Sequence, residues 1–123
     1  MTIKEAISRF KIANPSVKLS HDQIIDALTR LDTFVKINVI DLHEGVGVDF
    51  NGYTPDSDES TVLLVCPPYD DIYIDWLGIQ NDLLVRDYNK YNKAAEAYDV
   101  KLRAYTAYYN RTHLPLEGKI KLF

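Results

Sequence analysis

The chain predicts a mainly α fold: a small bundle of about four helices, with a projecting two-stranded β arm between the second and third. Three observations predict it. Apolar residues recur at three- and four-residue steps over most of the 123 residues. The period changes to two between residues 46 and 65. Turn formers and prolines fall at the changes of period. The length suits one domain, 1–115, followed by a tail, 116–123, because a second independent core is hard to fit at this size. With 46% hydrophobic and 26% charged residues, the composition is that of a globular chain rather than a disordered one.

The first helix opens on a capping box, Thr2 to Glu5, and places Ile3, Ala6, Ile7 and Phe10 on one face. It stops before Asn14-Pro15, since a residue preceding proline disfavours the α region. A second capping box, Ser20 to Gln23, begins the next helix. Ile24, Leu28, Leu31, Val35, Asn38 and Leu42 form a stripe of about five turns, roughly 30 Å long. Ile25, Phe34 and Val39 widen that stripe, so this helix is expected to meet more than one neighbour. Its last third is β-branched, which weakens the helix there, and Gly45 is placed to cap it.

Val46, Val48 and Phe50 then alternate with small or polar residues, and Thr61 to Val65 is a second short apolar run. Between them lies an acidic, turn-rich stretch, 51–60. A hairpin isolated in water is marginal. An arm over about 46–65 therefore needs a partner surface, from its own domain or another subunit. Cys66-Pro67-Pro68 ends the second strand, and either X-Pro bond is open to the cis form. Asp70 is placed as an N-cap, with Asp71 in the first turn of a helix presenting Ile72, Trp76, Ile79 and Leu83. A break is expected near 81–89. The last helix carries Tyr88, Tyr91, Ala95, Tyr98, Leu102, Tyr105, Tyr109 and Thr112, a seam of period 3.5 suited to packing on another helix. Pro115 ends it. The tail alternates loosely and is too short to fold alone, but it can add to an exposed edge.

Charge is segregated. Residues 1–36 carry a balance of +2 and residues 86–123 a balance of +4, whereas residues 37–85 hold ten acids and no Lys or Arg. Two readings stand: a solvated acidic face, or an acidic middle that meets the basic end of another subunit. The net charge of −4 argues against phosphate-backbone binding. No run of about 18 apolar residues crosses a membrane, and Lys4, Glu5 and Arg9 interrupt any signal-peptide core. One cysteine forms no internal disulfide.

Motifs that carry chemistry are missing from the sequence. His21, His43 and His113 fall in three different elements, and no metal-ligand spacing, phosphate loop or nucleophile elbow occurs. Catalytic, cofactor-binding and metal residues are each expected to be none. Asp56-Ser57-Asp58-Glu59 lacks the remaining ligands of a calcium loop, and Asp70, Asp71 and Asp75 have no neighbouring His or Lys in sequence to tune them. The tyrosine seam fits helix packing better than base stacking. The residues expected at a subunit or partner interface are Val46, Val48, Phe50, Tyr53, Leu63 and Val65 in the arm and Ile120, Leu122 and Phe123 in the tail.

Several segments carry a resemblance. These are Phe50-Asn51-Gly52-Tyr53, the acidic loop after it, Leu63-Leu64-Val65, Pro68-Tyr69-Asp70 with Tyr73, and Tyr108-Tyr109-Asn110-Arg111-Thr112-His113 before Pro115. Over roughly residues 20–115 the chain resembles small prophage proteins of Gram-positive bacteria. That group in turn is similar to the head-tail connector (adaptor, head-completion) proteins of long-tailed bacterial viruses. The resemblance implies a helical bundle with a projecting loop or hairpin, many copies of which ring the portal at the neck of the virus head. It implies as partners further copies of the chain, the portal protein and a tail or neck-completion protein. DNA would pass through the channel without sequence-specific binding, and no membrane or cofactor would be involved. It also leads one to expect an Asn-Gly turn between the last two helices, for which Asn81-Asp82 and Asp87-Tyr88-Asn89 are the candidates here. A reading from another class stands beside it: a small helical adaptor that binds one partner protein through the acidic middle segment.

Overall fold

The computed structural model describes residues 1–45 and 48–116. They form four helices: α1 Ile3–Ala13, α2 His21–Asn38, α3 Ile72–Val85 and α4 Tyr88–Thr112. Short 3-10 turns at Ile40–Leu42 and Tyr69–Asp71 follow α2 and precede α3. Both capping boxes form, with Glu5 N donating to Thr2 Oγ1 and Gln23 N donating to Ser20 Oγ. α1 ends at Ala13, where Asn14 Nδ2 donates to the Phe10 carbonyl.

α3 is the central helix, touching α1, α2 and most extensively α4. Ile72, Tyr73, Leu77 and Ile79 are buried, more of its circumference than one apolar stripe covers. Against it pack Ile3, Ala6 and Phe10 of α1 and Ile24, Leu28, Leu31 and Val35 of α2. On α2, Ile25 and Val39 are buried as the widened stripe predicts, whereas Phe34 is exposed. Trp76 donates its indole N–H to the Ala27 carbonyl across the α2–α3 contact, at 2.7 Å.

α4 buries only Tyr105 fully. With 25 residues against 14, it is roughly 16 Å longer than α3, so its C-terminal half runs beyond the start of α3. There Tyr105 and Tyr108 meet Tyr69, at ring separations of 6.0 and 5.0 Å. The seam is therefore a one-sided cover, half-buried along most of its length.

Two boundaries differ from expectation, each for a local reason. α2 stops at Asn38 rather than near Leu42, because Val35, Ile37, Val39 and Ile40 crowd a helix. His43 Nδ1 donates to the freed Val39 carbonyl at 2.6 Å. Asp70 is not an N-cap but lies in the 3-10 turn, its carboxylate 3.2 Å from the Met1 nitrogen. The break between the last helices falls within the expected 81–89, at Arg86, which adopts the left-handed conformation, and Asp87 caps α4 by accepting from Lys90 N. Asn81, a turn candidate, is instead buried, and ties the α1–α2 loop to α3. Its Oδ1 accepts from Lys18 N at 2.7 Å and its Nδ2 donates to the Ser16 carbonyl at 3.1 Å.

The largest correction concerns the arm. Among the described residues there is no strand and no projecting hairpin. Residues 48–68 form an irregular segment laid along the helices, with one isolated bridge, Thr2 to Val62. The apolar run enters the chain's own core: Leu63 is 3% exposed and Val65 is 0% exposed. The Pro67–Pro68 bond is cis.

A core position and its surface neighbour should respond differently. Leu63→Ala is expected to lower the unfolding free energy by about 2–5 kcal/mol. Val62→Ala, at a position 66% exposed, should change it by less than about 0.5 kcal/mol. Urea unfolding of the isolated chain measures both. Equal effects would return the segment to an external role.

Candidate functional site

What holds the irregular segment down is a carboxylate. Asp32 occupies the buried flank of α2, seven residues from Ile25 and seven from Val39, and is itself 0% exposed. Three donors converge on it. Tyr53 donates through its hydroxyl in a very short hydrogen bond, Tyr73 does so at 2.6 Å, and the Leu64 amide at 3.2 Å. The Tyr73 hydroxyl in turn accepts from Val65 N at 2.8 Å. One carboxylate thus joins α2, α3 and both limbs of the 48–68 segment. Burial pushes the Asp32 carboxyl above its ordinary value, against the opposing pull of the two hydroxyls and the amide. Burial and the adjacent carboxylate raise both tyrosines, which keeps them protonated as donors.

Thr29 fixes the neighbouring turn. Its Oγ1 accepts from Tyr53 N at 3.0 Å, and Gly52 beside it has φ +98. A Cβ on Gly52 would lie 3.0 Å from Thr29 Cγ2, so both conformation and space call for glycine. Farther on, the chain turns back at Thr54–Ser57 and Asp58–Thr61. This acidic tip touches the helix starts, with Lys4 N donating to the Glu59 carbonyl at 3.0 Å.

A second cluster ties the end of α4 to the 3-10 turn after α2. His43 Nε2 lies 2.8 Å from Asn110 Oδ1, and its ring meets Tyr109 edge to face at 4.8 Å. Tyr109 stacks on His113 at 3.8 Å. Leu116 N donates to the Leu42 carbonyl and Glu44 N to the Leu114 carbonyl, with a bridge between His43 and Pro115. Residues 114–116 therefore lie beside the 3-10 turn after α2.

The residues expected at an interface divide accordingly. Leu63 and Val65 are core, a correction whose cause is the Asp32 anchor. Val48 and Tyr53 are half-buried against the core, and Phe50 lies on Tyr53 at a ring separation of 4.9 Å. Val46, Ile120, Leu122 and Phe123 lie outside the described residues. Sequence reasoning missed Asp32, although its seven-residue spacing from Ile25 and Val39 marks an acid in an apolar row. It also missed the partnership of His43 with Asn110.

Two open grooves flank α3. One of about 540 Å³ lies between α2 and α3, over Leu83 and Leu84. The other, about 400 Å³, lies among α1, α3 and α4 and is lined by Lys90 and Lys93. Among the described residues no three His, Cys, Asp or Glu side chains gather as for a metal ion. No helix among them is long and apolar enough to cross a membrane. No family model, curated protein or solved structure matches the chain.

Two predictions follow from the Asp32 cluster. Tyr73→Phe removes one donor from a buried carboxylate and strips the Val65 amide of its acceptor. Its expected cost is about 1.5–3 kcal/mol in urea unfolding, and a neutral result would remove the carboxylate as the anchor. The second concerns pH. The folded chain holds the Asp32 proton to higher pH than the unfolded chain, whose value is near 3.8. The stability this group contributes is full below that value and declines as pH rises through the raised one. The stability of wild type minus that of Asp32→Asn should therefore fall as pH rises above the ordinary carboxylate range. A pH-independent difference would mean that charging Asp32 is no harder in the fold than outside it.

Proposed function

We propose that this chain is a structural protein of the bacteriophage neck, a head-tail connector whose copies ring the portal, join head to tail and extend the DNA channel. The observation that carries the reading is a coincidence of residues. The segments in which the sequence resembles connector proteins are those that clamp this fold. Tyr53, Leu64 and Tyr73 bind Asp32, Asp70 meets the Met1 nitrogen, and Tyr109 and Asn110 seize His43. The resemblance thus rests on residues that set the shape of the domain. A shape-bearing role in an assembly fits such residues.

With the arm folded back, contacts to neighbours fall to the acidic tip at 54–60, the grooves beside α3 and the tail at 116–123. The partners on this reading are further copies of the chain, the portal protein and a tail or neck-completion protein, and the place of action is the virion.

The test is electron microscopy of portal-bearing particles prepared with and without the chain. The expected result is a ring of this domain on the portal, and heads that fail to acquire tails when it is missing. Tailed particles formed without it would refute the proposal, and a one-to-one complex with a single protein would favour an adaptor. A chain lacking residues 117–123 should keep its helical circular dichroism but join heads to tails poorly. Undiminished joining would remove the tail from the mechanism.

A further inference from the structure

The charge segregation resolves, in three dimensions, into two unlike surfaces. Several middle acids are already engaged within the domain. Asp41 pairs with Lys36 at 2.8 Å, Asp75 with Lys101 at 2.6 Å, and Asp70 with the Met1 nitrogen. The tip acids are not. Asp56, Asp58 and Glu59 are exposed, and among the described residues no Lys or Arg lies within ion-pair distance of them.

The tip is also preformed. Thr54 N donates to Ser57 Oγ at 2.8 Å, and Ser60 N and Oγ donate to Asp58 Oδ1 at 2.9 and 2.8 Å. These bonds hold the Asp58 carboxyl below its ordinary value, so it stays charged. A tip already folded loses little freedom on docking.

The complementary surface is the groove of about 400 Å³ among α1, α3 and α4. Its small residues, Gly78, Ala94 and Ala97, leave room, and a Cβ placed on Gly78 would meet nothing within 4 Å. Lys90 and Lys93 line it, and neither has an ion-pair partner among the described residues. Asp75 and Asp82 share the groove: Asp75 is already paired with Lys101, and burial and the charge of Asp87 push the Asp82 carboxyl up against the opposing pull of Lys90.

The two surfaces do not meet within one molecule. The tip sits at the start of α1, against Lys4, whereas the groove begins at its end, at Ala13 and Asn14. Roughly 14 Å of helix separates them. We infer that the acidic tip of one copy, Asp56 to Glu59, docks in the groove lined by Lys90 and Lys93 on a second copy of this chain. Such a contact joins unlike patches, so it repeats from copy to copy and closes into a ring wherever the rotation allows. This inference rests on the connector reading for its setting, but not for its test.

The test uses the full chain in analytical ultracentrifugation at low ionic strength, where exposed charges act most strongly. Wild type should self-associate, and either charge reversal, Lys90→Glu with Lys93→Glu or Asp56→Lys with Glu59→Lys, should weaken that at least tenfold. An equimolar mixture of the two reversed chains should regain it, because each groove then faces a tip of opposite charge. Carbodiimide cross-linking of wild type should join Asp56 or Glu59 to Lys90 or Lys93 between molecules. A wild type that stays monomeric to about 1 mM, or a mixture that associates no better than its parts, overturns the inference. Association that follows this pattern without any ring on portals would count against the connector reading alone. Rings on portals indifferent to these four side chains would count against the contact alone.

Discussion

A buried carboxylate needs partners more than it supplies stability. Placing the Asp32 charge away from water is costly, and the cost is contained only by donors aimed at it. Here the donors arrive from two directions: Tyr73 from α3, and Tyr53 and Leu64 from the irregular segment. Hydrophobic burial of Leu63 and Val65 favours compaction but tolerates many arrangements. The carboxylate tolerates few. A slip of one residue in the segment would take away the Tyr53 hydroxyl and the Leu64 amide and leave the carboxylate with Tyr73 alone, so Asp32 acts as a register pin. That is why a stretch without helix or strand can lie in one conformation across the bundle.

The same constraint explains what the sequence disclosed. Caps were legible because they are local: Thr2 with Glu5 and Ser20 with Gln23 need only three-residue spacing, and both form. The helix periods were legible too, since a stripe betrays its axis. The end of α2 was only partly so, because β-branching weakens a helix without stating where His43 will seize the freed carbonyl. The arm was misread for a different reason. Alternation at 46–50 and 61–65 is compatible with strands, but the competing partner for that backbone was a side chain some 20 to 30 residues upstream. Tertiary hydrogen bonding overrode local pattern, and only the row Ile25, Asp32, Val39 hinted at it. Of the interface residues assigned in the arm, Leu63 and Val65 face inward.

The tyrosines have two distinct jobs, which composition alone merges. Tyr53 and Tyr73 serve the carboxylate and are hydrogen-bond donors first. Those of α4 supply area. Tyr98 packs on Trp76, and Tyr105, Tyr108 and Tyr109 cluster with Tyr69, His43 and His113. An amphipathic ring suits a helix that covers a core on one side, because its edge can stay wet while its face is buried. α4 therefore holds its place through a broad, partly hydrated seam, and its far end reaches the 3-10 turn after α2.

Polarity of charge along a chain becomes useful only if folding does not neutralise it. In this domain folding does so selectively. Lys36 and Lys101 consume two middle acids, and the Met1 nitrogen faces a third. Of the other seven, Asp56, Asp58 and Glu59 sit together on a preformed tip, while Lys90 and Lys93 stand beside open space. Exposed ion pairs each contribute at most about 1 kcal/mol, so one such contact is weak in free solution. In a closed ring, every copy makes the contact twice and none is left at an end. In the ring proposed above, closure would turn individually weak pairs into a collective preference for one geometry, with specificity coming from the charges and rigidity from the pinned segment that carries them.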